Sequence, residues 1–197
     1  MKRILLITGP IGSGKSLASA VLSACGMPVY DCDERAKDLY RSHPELLGQL
    51  EALLGQPLRD AEGKLDKKCL AQILFAEQQA RMKVNALVHP LVVADFQAWC
   101  MEQDAAWLGI ESALFLSPEA GAALDCDAVL YVDAPLETRV SRIERRDACS
   151  RQQALERIRS QQLNKEDSRI SHRLLNEGTA SDLSEKVKAF YRELVIN

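Results

Sequence analysis

A short loop near the start of the chain has the residue types and spacing of a phosphate-binding site. It reads GPIGSGKS from Gly9 to Ser16 and lies between an apolar run and a segment with helical character. Glycines let successive backbone N–H groups turn inward around an anion, and the positive end of the following helix faces the same anion. The pattern G-x-x-x-x-G-K-S therefore predicts a P-loop that binds a nucleoside triphosphate.

The residues of this loop have different expected tasks. Lys15 should reach the β- and γ-phosphates, and the Ser16 hydroxyl should ligate Mg²⁺. All residues of the loop are predicted to contact the nucleotide: Gly9, Pro10, Ile11, Gly12, Ser13, Gly14, Lys15 and Ser16.

Two carboxylates follow the second predicted strand, at Asp31 and Asp33. In an extended chain, residues two apart share a face, so both can point toward the P-loop from the carboxyl edge of a sheet. A carboxylate there can accept a proton from an attacking hydroxyl, or orient the hydroxyl and a metal ion. Asp33 could instead cap a helix that begins at Glu34, and the two roles are compatible.

An arginine-rich segment provides a second group suited to phosphoryl transfer. Arg139, Arg142 and Arg146 are spaced by three and four residues, which places them on one face of a helix. Their guanidinium groups could close over the transferring phosphates as a lid. A solvated face balanced by Glu137 and Glu144 is the alternative, but a P-loop in the same chain favours the lid.

A GTPase-type switch competes with a kinase. Asp60 to Gly63 fits D-x-x-G, and Asn164 to Asp167 fits N-K-x-D. In a GTPase, both motifs must leave the ends of buried strands so that they converge on the nucleotide. Here each follows a polar segment, so we interpret both as chance matches and favour a kinase that acts on a small molecule or a nucleoside monophosphate.

The composition narrows the range of partners. A net charge of −3 and a pI near 5.7 argue against a protein that coats nucleic acid. Six cysteines without a C-x-x-C pair are typical of reduced thiols, and three scattered histidines show no metal-ligand spacing. No apolar run is long enough to cross a bilayer, so we expect a cytoplasmic protein with no nucleic-acid or membrane partner.

Strand-like and helix-like segments alternate, as in a parallel sheet covered by helices. The sequence predicts an α/β fold of one domain, 1–197, with a core at about 1–59 and 104–197 and an inserted helical lobe at about 60–103. Strands are predicted at Ile4–Thr8, Val29–Tyr30, 107–110, 128–132 and 173–175. Helices are predicted at 15–25, 34–40, 45–54, 66–75 and 91–101. One more helix is predicted to end at 88, and three are predicted to begin at about 135, at 150 and at 182.

Five residues are expected to help begin or end helices. Ser42 and Asp66 are predicted to cap the helices that follow them, and Ser150 with Gln153 forms a predicted capping box. Pro90 is predicted to end the helix that runs to Val88.

Six motifs, taken together, resemble the dephospho-CoA kinase family across nearly the whole chain. In chain order they are TGPIGSGKS, VYDCDERAK, LDKKCLAQILF, NALVHPLV, VLYVDAPLETRVSRIERRD and LLNEG. The resemblance implies transfer of the γ-phosphate of ATP to the ribose 3′-hydroxyl of dephospho-coenzyme A. It also implies a P-loop kinase fold with a helical substrate lobe and a mobile lid at about 139–165.

The resemblance also implies roles for individual residues. It makes Asp33 the general base and a substrate contact, with Lys15 and Arg142 as the other catalytic residues. Arg142 and Arg146 become lid residues that contact ATP. The substrate-lobe signature falls on Asn85, His89 and Pro90. We expect ATP, Mg²⁺ and dephospho-coenzyme A as ligands of a monomer or weak homo-oligomer.

Two positions depart from the family pattern. Leu17 replaces a threonine that usually follows the P-loop serine, although Ser16 keeps the hydroxyl. The segment IESALFLSPEAG, residues 110–121, stands where the family usually has a Pro-Leu-Leu-Phe-Glu-like run. Ser117 occupies the place of the glutamate.

Overall fold

A parallel five-stranded sheet organises the computed structural model, which describes residues 2–112, 125–161 and 163–196. The strand order is β2-β3-β1-β4-β5, and the four strand pairings are all parallel. The strands are β1 (Arg3–Thr8), β2 (Val29–Asp31), β3 (Trp107–Glu111), β4 (Ala128–Asp133) and β5 (His172–Leu175). The predicted α/β sheet is therefore confirmed.

Helices lie between and after the strands along the chain. They are α1 (Lys15–Ala24), α2 (Cys32–Ser42), α3 (Pro44–Leu54), α4 (Lys67–Ala76), α5 (Gln78–Glu102), α6 (Leu136–Asp147), α7 (Arg151–Ser160) and α8 (Ala180–Ile196). Within the described ranges, no helix combines the length and apolar character that a membrane span requires. All six cysteines are free thiols.

The main apolar core lies between one face of the sheet and helices α1 and α8. Alternate residues of the central strands point into it, namely Leu5 and Ile7 of β1 and Leu130 and Val132 of β4, all fully buried. From the helices they meet Leu22, Val187 and other apolar side chains. Because the central strands are buried, the positions at which they end are fixed. Residues of the candidate site lie at those ends or directly after them.

The described residues form two compact units. The first comprises Met1–Asp31 with Trp99–Asn197 and contains the sheet with α1, α6, α7 and α8. The second, Cys32–Ala98, contains α2, α3, α4 and most of α5. The predicted lobe at about 60–103 falls largely inside the second unit, which begins earlier in the chain, at Cys32. The role of this lobe in substrate binding stays a prediction.

Pro90 does not end a helix, contrary to the sequence prediction. The structure has one helix, α5, with Pro90 in its interior. Proline there removes one backbone hydrogen bond and disfavours the helix locally. The buried side chains on both sides of Pro90 recur every four residues: Ala80, Val84, Val88, Val92 and Phe96. This continuous buried face stabilises the helix across the proline.

Two helix starts also differ from the predictions. Ser42 does not cap α3; His43 occupies the N-cap position, and Pro44, whose fixed φ suits a first helical residue, begins the helix. The Ser42 hydroxyl instead donates to the Asp38 carbonyl at 3.1 Å. Helix α2 begins at Cys32 rather than Glu34, so Asp33 lies inside its first turn and is not its N-cap. The other predicted elements agree with the structure to within about two residues, the usual uncertainty of helix ends.

Two predicted helix caps are confirmed. The Asp66 carboxylate accepts hydrogen bonds from the backbone N–H groups of Lys68 and Cys69 at the start of α4, at 2.9 and 3.0 Å. Ser150 and Gln153 form the reciprocal capping box at the start of α7. Each cap satisfies N–H groups that have no partner within the helix.

The Asp66 cap gives a stability prediction. Asp66→Ala removes both side-chain hydrogen bonds at the start of α4, so we expect the free energy of unfolding to fall by about 1 kcal/mol. Urea unfolding followed by circular dichroism measures this change. Asp66→Asn keeps an acceptor oxygen and should retain most of the stability. An Asp66→Ala protein as stable as the parent would show that this cap contributes nothing.

Candidate nucleotide and phosphoryl-transfer site

The P-loop connects β1 to α1 in a backbone conformation that requires glycine. Gly14, directly before α1, has a φ of 106°, and a Cβ atom there would lie 2.4 Å from Nδ2 of Asn176. A Cβ atom at Gly9, where φ is 147°, would lie 2.0 Å from the carbonyl oxygen of Val132. Both positions combine strain with a close neighbour, so side chains are excluded there.

Four consecutive carbonyl oxygens of the loop accept hydrogen bonds from side chains, all but one of which lie outside the loop. The donors are Lys15 to Pro10 (3.1 Å), Arg139 to Ile11 (2.9 Å), Arg142 to Gly12 and Ser13 (3.3 and 3.2 Å), and Asn176 to Ser13 (2.7 Å). Buried carbonyls need such partners. With its carbonyls held in this way, the loop can direct amides toward an anion, together with the first N–H groups of α1, which have no partner within the helix.

The three arginines predicted on one face of α6 have different surroundings. Arg139 is buried, with 6% of its surface exposed, and burial lowers the pKa of its guanidinium while Asp133 raises it. Arg142 is half-buried and contacts the P-loop. Arg146 is exposed and forms a two-point contact with Asp147, at 2.7 and 3.0 Å. The structure thus brings Arg142 to the phosphate loop, and it gives Arg139 a role in supporting the loop. Contacts of Arg142 and Arg146 with ATP stay a prediction.

A carboxylate that the sequence analysis missed lies against the P-loop serine. The Ser16 hydroxyl donates to Oε1 of Glu111 at 2.8 Å. Glu111 ends β3, is 9% exposed, and lies in register with Ile7 of β1 and Asp31 of β2. The sequence signal for Glu111 is an acidic residue at the end of an apolar strand, but the strand was predicted to end one residue earlier, at Ile110.

The oxygen atoms of Ser16 and Glu111 suit a magnesium ion. Mg²⁺ prefers hard oxygen ligands and usually takes only one or two protein groups, together with nucleotide phosphates and water. Among the residues the structure describes, no group of three or more acidic, histidine or cysteine side chains could hold a metal by itself. Two oxygen atoms of this kind fit an ion that takes its remaining ligands from a nucleotide and water.

Asn176 is a second residue that the sequence analysis left without a role. It follows β5, is 3% exposed, and donates from Nδ2 to the Ser13 carbonyl. Its Oδ1 accepts a hydrogen bond from Arg142 at 3.2 Å. The side chain therefore joins α6 to the P-loop. In the sequence it is visible only as the asparagine of LLNEG, whose spacing carries no chemical signal.

The predicted acceptor residues lie in the second unit. Asn85 and His89 are four residues apart on α5, so they share a helix face, and Pro90 follows His89. Burial lowers the pKa of His89, which favours a neutral imidazole at neutral pH. Asp33 is exposed in the first turn of α2, and the nearby Arg35 forms a bidentate pair with Asp95 of α5 at 2.8 and 2.9 Å. Ser117 lies outside the described residues.

The two GTPase-like tetrapeptides form local turns. The Asp60 carboxylate accepts from the backbone N–H groups of Glu62 and Lys64, at 3.1 and 2.8 Å. The Asn164 side chain accepts from the N–H of Glu166 at 3.1 Å in the segment after α7. Neither follows a strand of the sheet, as a guanine-binding loop would have to do.

Comparison with known proteins identifies one protein family. The sequence model of the dephospho-CoA kinase family matches residues 3–182. A protein of Bacteroides fragilis described as dephospho-CoA kinase is 40% identical over 174 residues, which cover 87% of this chain and 83% of that protein. A crystal structure from Thermus thermophilus superposes with a TM-score of 0.78 at 32% identity and covers 98% of each chain. Dephospho-CoA kinase from Campylobacter jejuni shares the fold, with a TM-score of 0.59, 22% identity, and coverage of 98% of this chain and 97% of that one.

The contacts of Asn176 predict an effect on nucleotide affinity. Asn176→Asp keeps the oxygen that faces Arg142 but replaces the donor to the Ser13 carbonyl with a carboxylate oxygen. We expect the dissociation constant for ATP, measured by calorimetry, to rise about tenfold, the effect of losing one buried hydrogen bond.

The matched control for this prediction is Asn164→Asp. It makes the same charge change at an exposed asparagine after α7 and should leave ATP affinity unchanged. If Asn176→Asp binds ATP as tightly as the parent protein, the buried amide is not needed to hold the loop.

Proposed function

The chain belongs to the dephospho-CoA kinase family, and from this premise we propose how its residues transfer the γ-phosphate of ATP to the ribose 3′-hydroxyl of dephospho-coenzyme A. The products are coenzyme A and ADP, and the reaction is the final step of coenzyme A synthesis. The observation that carries phosphoryl transfer from ATP is the P-loop between β1 and α1, with its carbonyls held by side chains and Ser16 hydrogen-bonded to Glu111. The acceptor is assigned on the family.

The phosphates of ATP are bound by the loop and the amino end of α1. There is little covalent chemistry for a protein to perform in phosphoryl transfer, so positioning and charge stabilisation supply most of the rate. Lys15, the first residue of α1, is proposed to stabilise charge on the transferring group. Arg142 extends this positive charge from α6, and Arg146 joins it if the segment at about 139–165 closes as a lid.

Ser16 and Glu111 are the residues that would hold Mg²⁺. When bound with ATP, the ion would neutralise part of the charge on the β- and γ-phosphates. The 2.8 Å hydrogen bond between these side chains places their oxygen atoms side by side.

Asp33 is proposed as the general base for the acceptor hydroxyl. Its carboxylate is exposed in the first turn of α2, two residues after β2 ends at Asp31. It is not the N-cap of α2, because that helix already begins at Cys32. We assign Asn85, His89 and Pro90 to acceptor binding on the family resemblance. We further propose a cytoplasmic enzyme, supported by its free thiols, that acts as a monomer or weak homo-oligomer.

Acceptor choice tests the proposed function directly. Purified protein is incubated with Mg²⁺-ATP and either dephospho-coenzyme A, AMP or adenosine, and both ADP release and product mass are measured. We expect kcat/KM for dephospho-coenzyme A to exceed that for AMP by about a hundredfold or more, because binding of the pantetheine end can orient the reacting hydroxyl.

Other outcomes, in this assay or in a binding measurement, identify the alternatives. Equal efficiency with AMP would indicate a nucleoside monophosphate kinase. Nucleotide-dependent binding of a partner, without phosphorylation of any acceptor, would indicate a switch protein.

The two aspartates can be separated by conservative substitutions. Asp33→Asn keeps the shape of the side chain but cannot accept a proton, so kcat should fall by about a hundredfold or more while ATP affinity changes little. Asp31→Asn alters a charge two residues away and should cause a smaller loss. Steady-state kinetics and thermal unfolding of both variants provide the measurements.

The pattern of results assigns the base. An active Asp33→Asn protein beside an inactive Asp31→Asn protein would move the role to Asp31. If both variants keep full activity, proton acceptance by this pair is not part of the mechanism.

A further inference from the structure

Ile11, the third residue of the P-loop, is bound through all three of its chemical groups. Its carbonyl accepts from Nε of Arg139 at 2.9 Å, and its N–H donates to Oε1 of Gln161 at 2.6 Å. Its side chain packs against the small apolar cluster of α6 and α7 formed by Val140, Ile143 and Ala154. All three contacts come from α6, α7 or the residue directly after α7, which is Gln161.

Helices α6 and α7 are also tied to each other, so they can act on Ile11 as one body. Arg157 of α7 and Arg146 of α6 both contact the carboxylate of Asp147, and these two arginines hold its pKa below the usual range. Arg151 pairs with Glu137 at 2.8 Å. The apolar cluster lies between the same two helices.

The hydrogen bond from Ile11 to Gln161 differs from the other contacts of the loop. The side chains of Lys15, Arg139, Arg142 and Asn176 donate to carbonyl oxygens, whereas Gln161 accepts from an amide N–H. This N–H lies in the turn whose amides are expected to face phosphate, and the bond directs it toward the end of α7. The acceptor oxygen at position 161 therefore helps to set the direction in which the Ile11 peptide group points.

We propose that Gln161 is a positioning residue: its side-chain oxygen fixes the Ile11 peptide and thereby couples the α6–α7 pair to the P-loop. The phosphate-binding turn is then preorganised by the same segment that carries Arg142. This inference rests on the proposed phosphoryl transfer for its kinetic consequence, but the hydrogen bond itself can be tested without any acceptor substrate.

Amide hydrogen exchange of the full-length protein tests the bond. Gln161→Met has a side chain of similar length and no amide oxygen, whereas Gln161→Glu keeps an acceptor oxygen. In ¹⁵N-resolved spectra, we expect exchange at the Ile11 amide to speed up about tenfold or more in Gln161→Met and to stay slow in Gln161→Glu, because a lost hydrogen bond leaves the amide open to water. Unchanged exchange in Gln161→Met overturns the inference.

Kinetics with Mg²⁺-ATP and dephospho-coenzyme A test the consequence. We expect kcat of Gln161→Met to fall about tenfold with KM for ATP changed less than about threefold, since small misplacements of reacting groups lower the rate more than binding. Gln161→Glu should recover part of kcat. Faster exchange at Ile11 with an unchanged kcat would show that the bond exists but positions nothing.

Gln152→Met is the matched control. Gln152 is an exposed glutamine on α7 whose side chain donates to Glu156 at 3.2 Å, and its substitution should alter neither the exchange at Ile11 nor kcat. The failures of the two proposals remain distinguishable: a parent protein that phosphorylates no acceptor refutes the proposed function, whereas unchanged Ile11 exchange in Gln161→Met refutes the role of Gln161.

Discussion

The conformation of the P-loop depends on hydrogen-bond donors for its own carbonyl groups. A turn that directs amides toward an anion leaves carbonyl oxygens on its other side, and each costs free energy if it is buried without a partner. The carbonyls from Pro10 to Ser13 are all satisfied by side chains that lie far along the chain, except for the local contact from Lys15. The conformation of the loop therefore depends on the helices and strands that position those side chains.

This requirement explains why a chain with a net charge of −3 concentrates arginine on α6. Burying the Arg139 guanidinium is unfavourable, as its lowered pKa shows, but its contact with the Ile11 carbonyl and the nearby charge of Asp133 offset part of that cost. Arg142 serves the loop at Gly12 and Ser13 while remaining half-buried. One helix thus supplies both structural support and the positive charge that a triphosphate requires.

The local features of this site could be predicted from sequence, and those made by topology could not. GPIGSGKS, the Asp66 cap and the Ser150 capping box are short patterns whose physics is complete within a few residues. Glu111 and Asn176 reach the loop only because β3 lies beside β1 and β5 lies beside β4, and no spacing in the sequence encodes that order. Pro90 shows the converse, since its local preference to end a helix is overridden by burial on both sides.

The assigned roles divide between the two compact units. The P-loop, Glu111, Arg142 and Asn176 lie in the first unit, so the groups proposed to bind the triphosphate and to support its loop are organised by contacts within one body. Asp33, Asn85 and His89, proposed to serve the acceptor, lie in the second. Because phosphoryl transfer gains most from alignment, the binding energy of the acceptor's non-reacting parts is the natural source of that alignment. An acceptor lacking those parts would lose rate even if its hydroxyl were chemically identical.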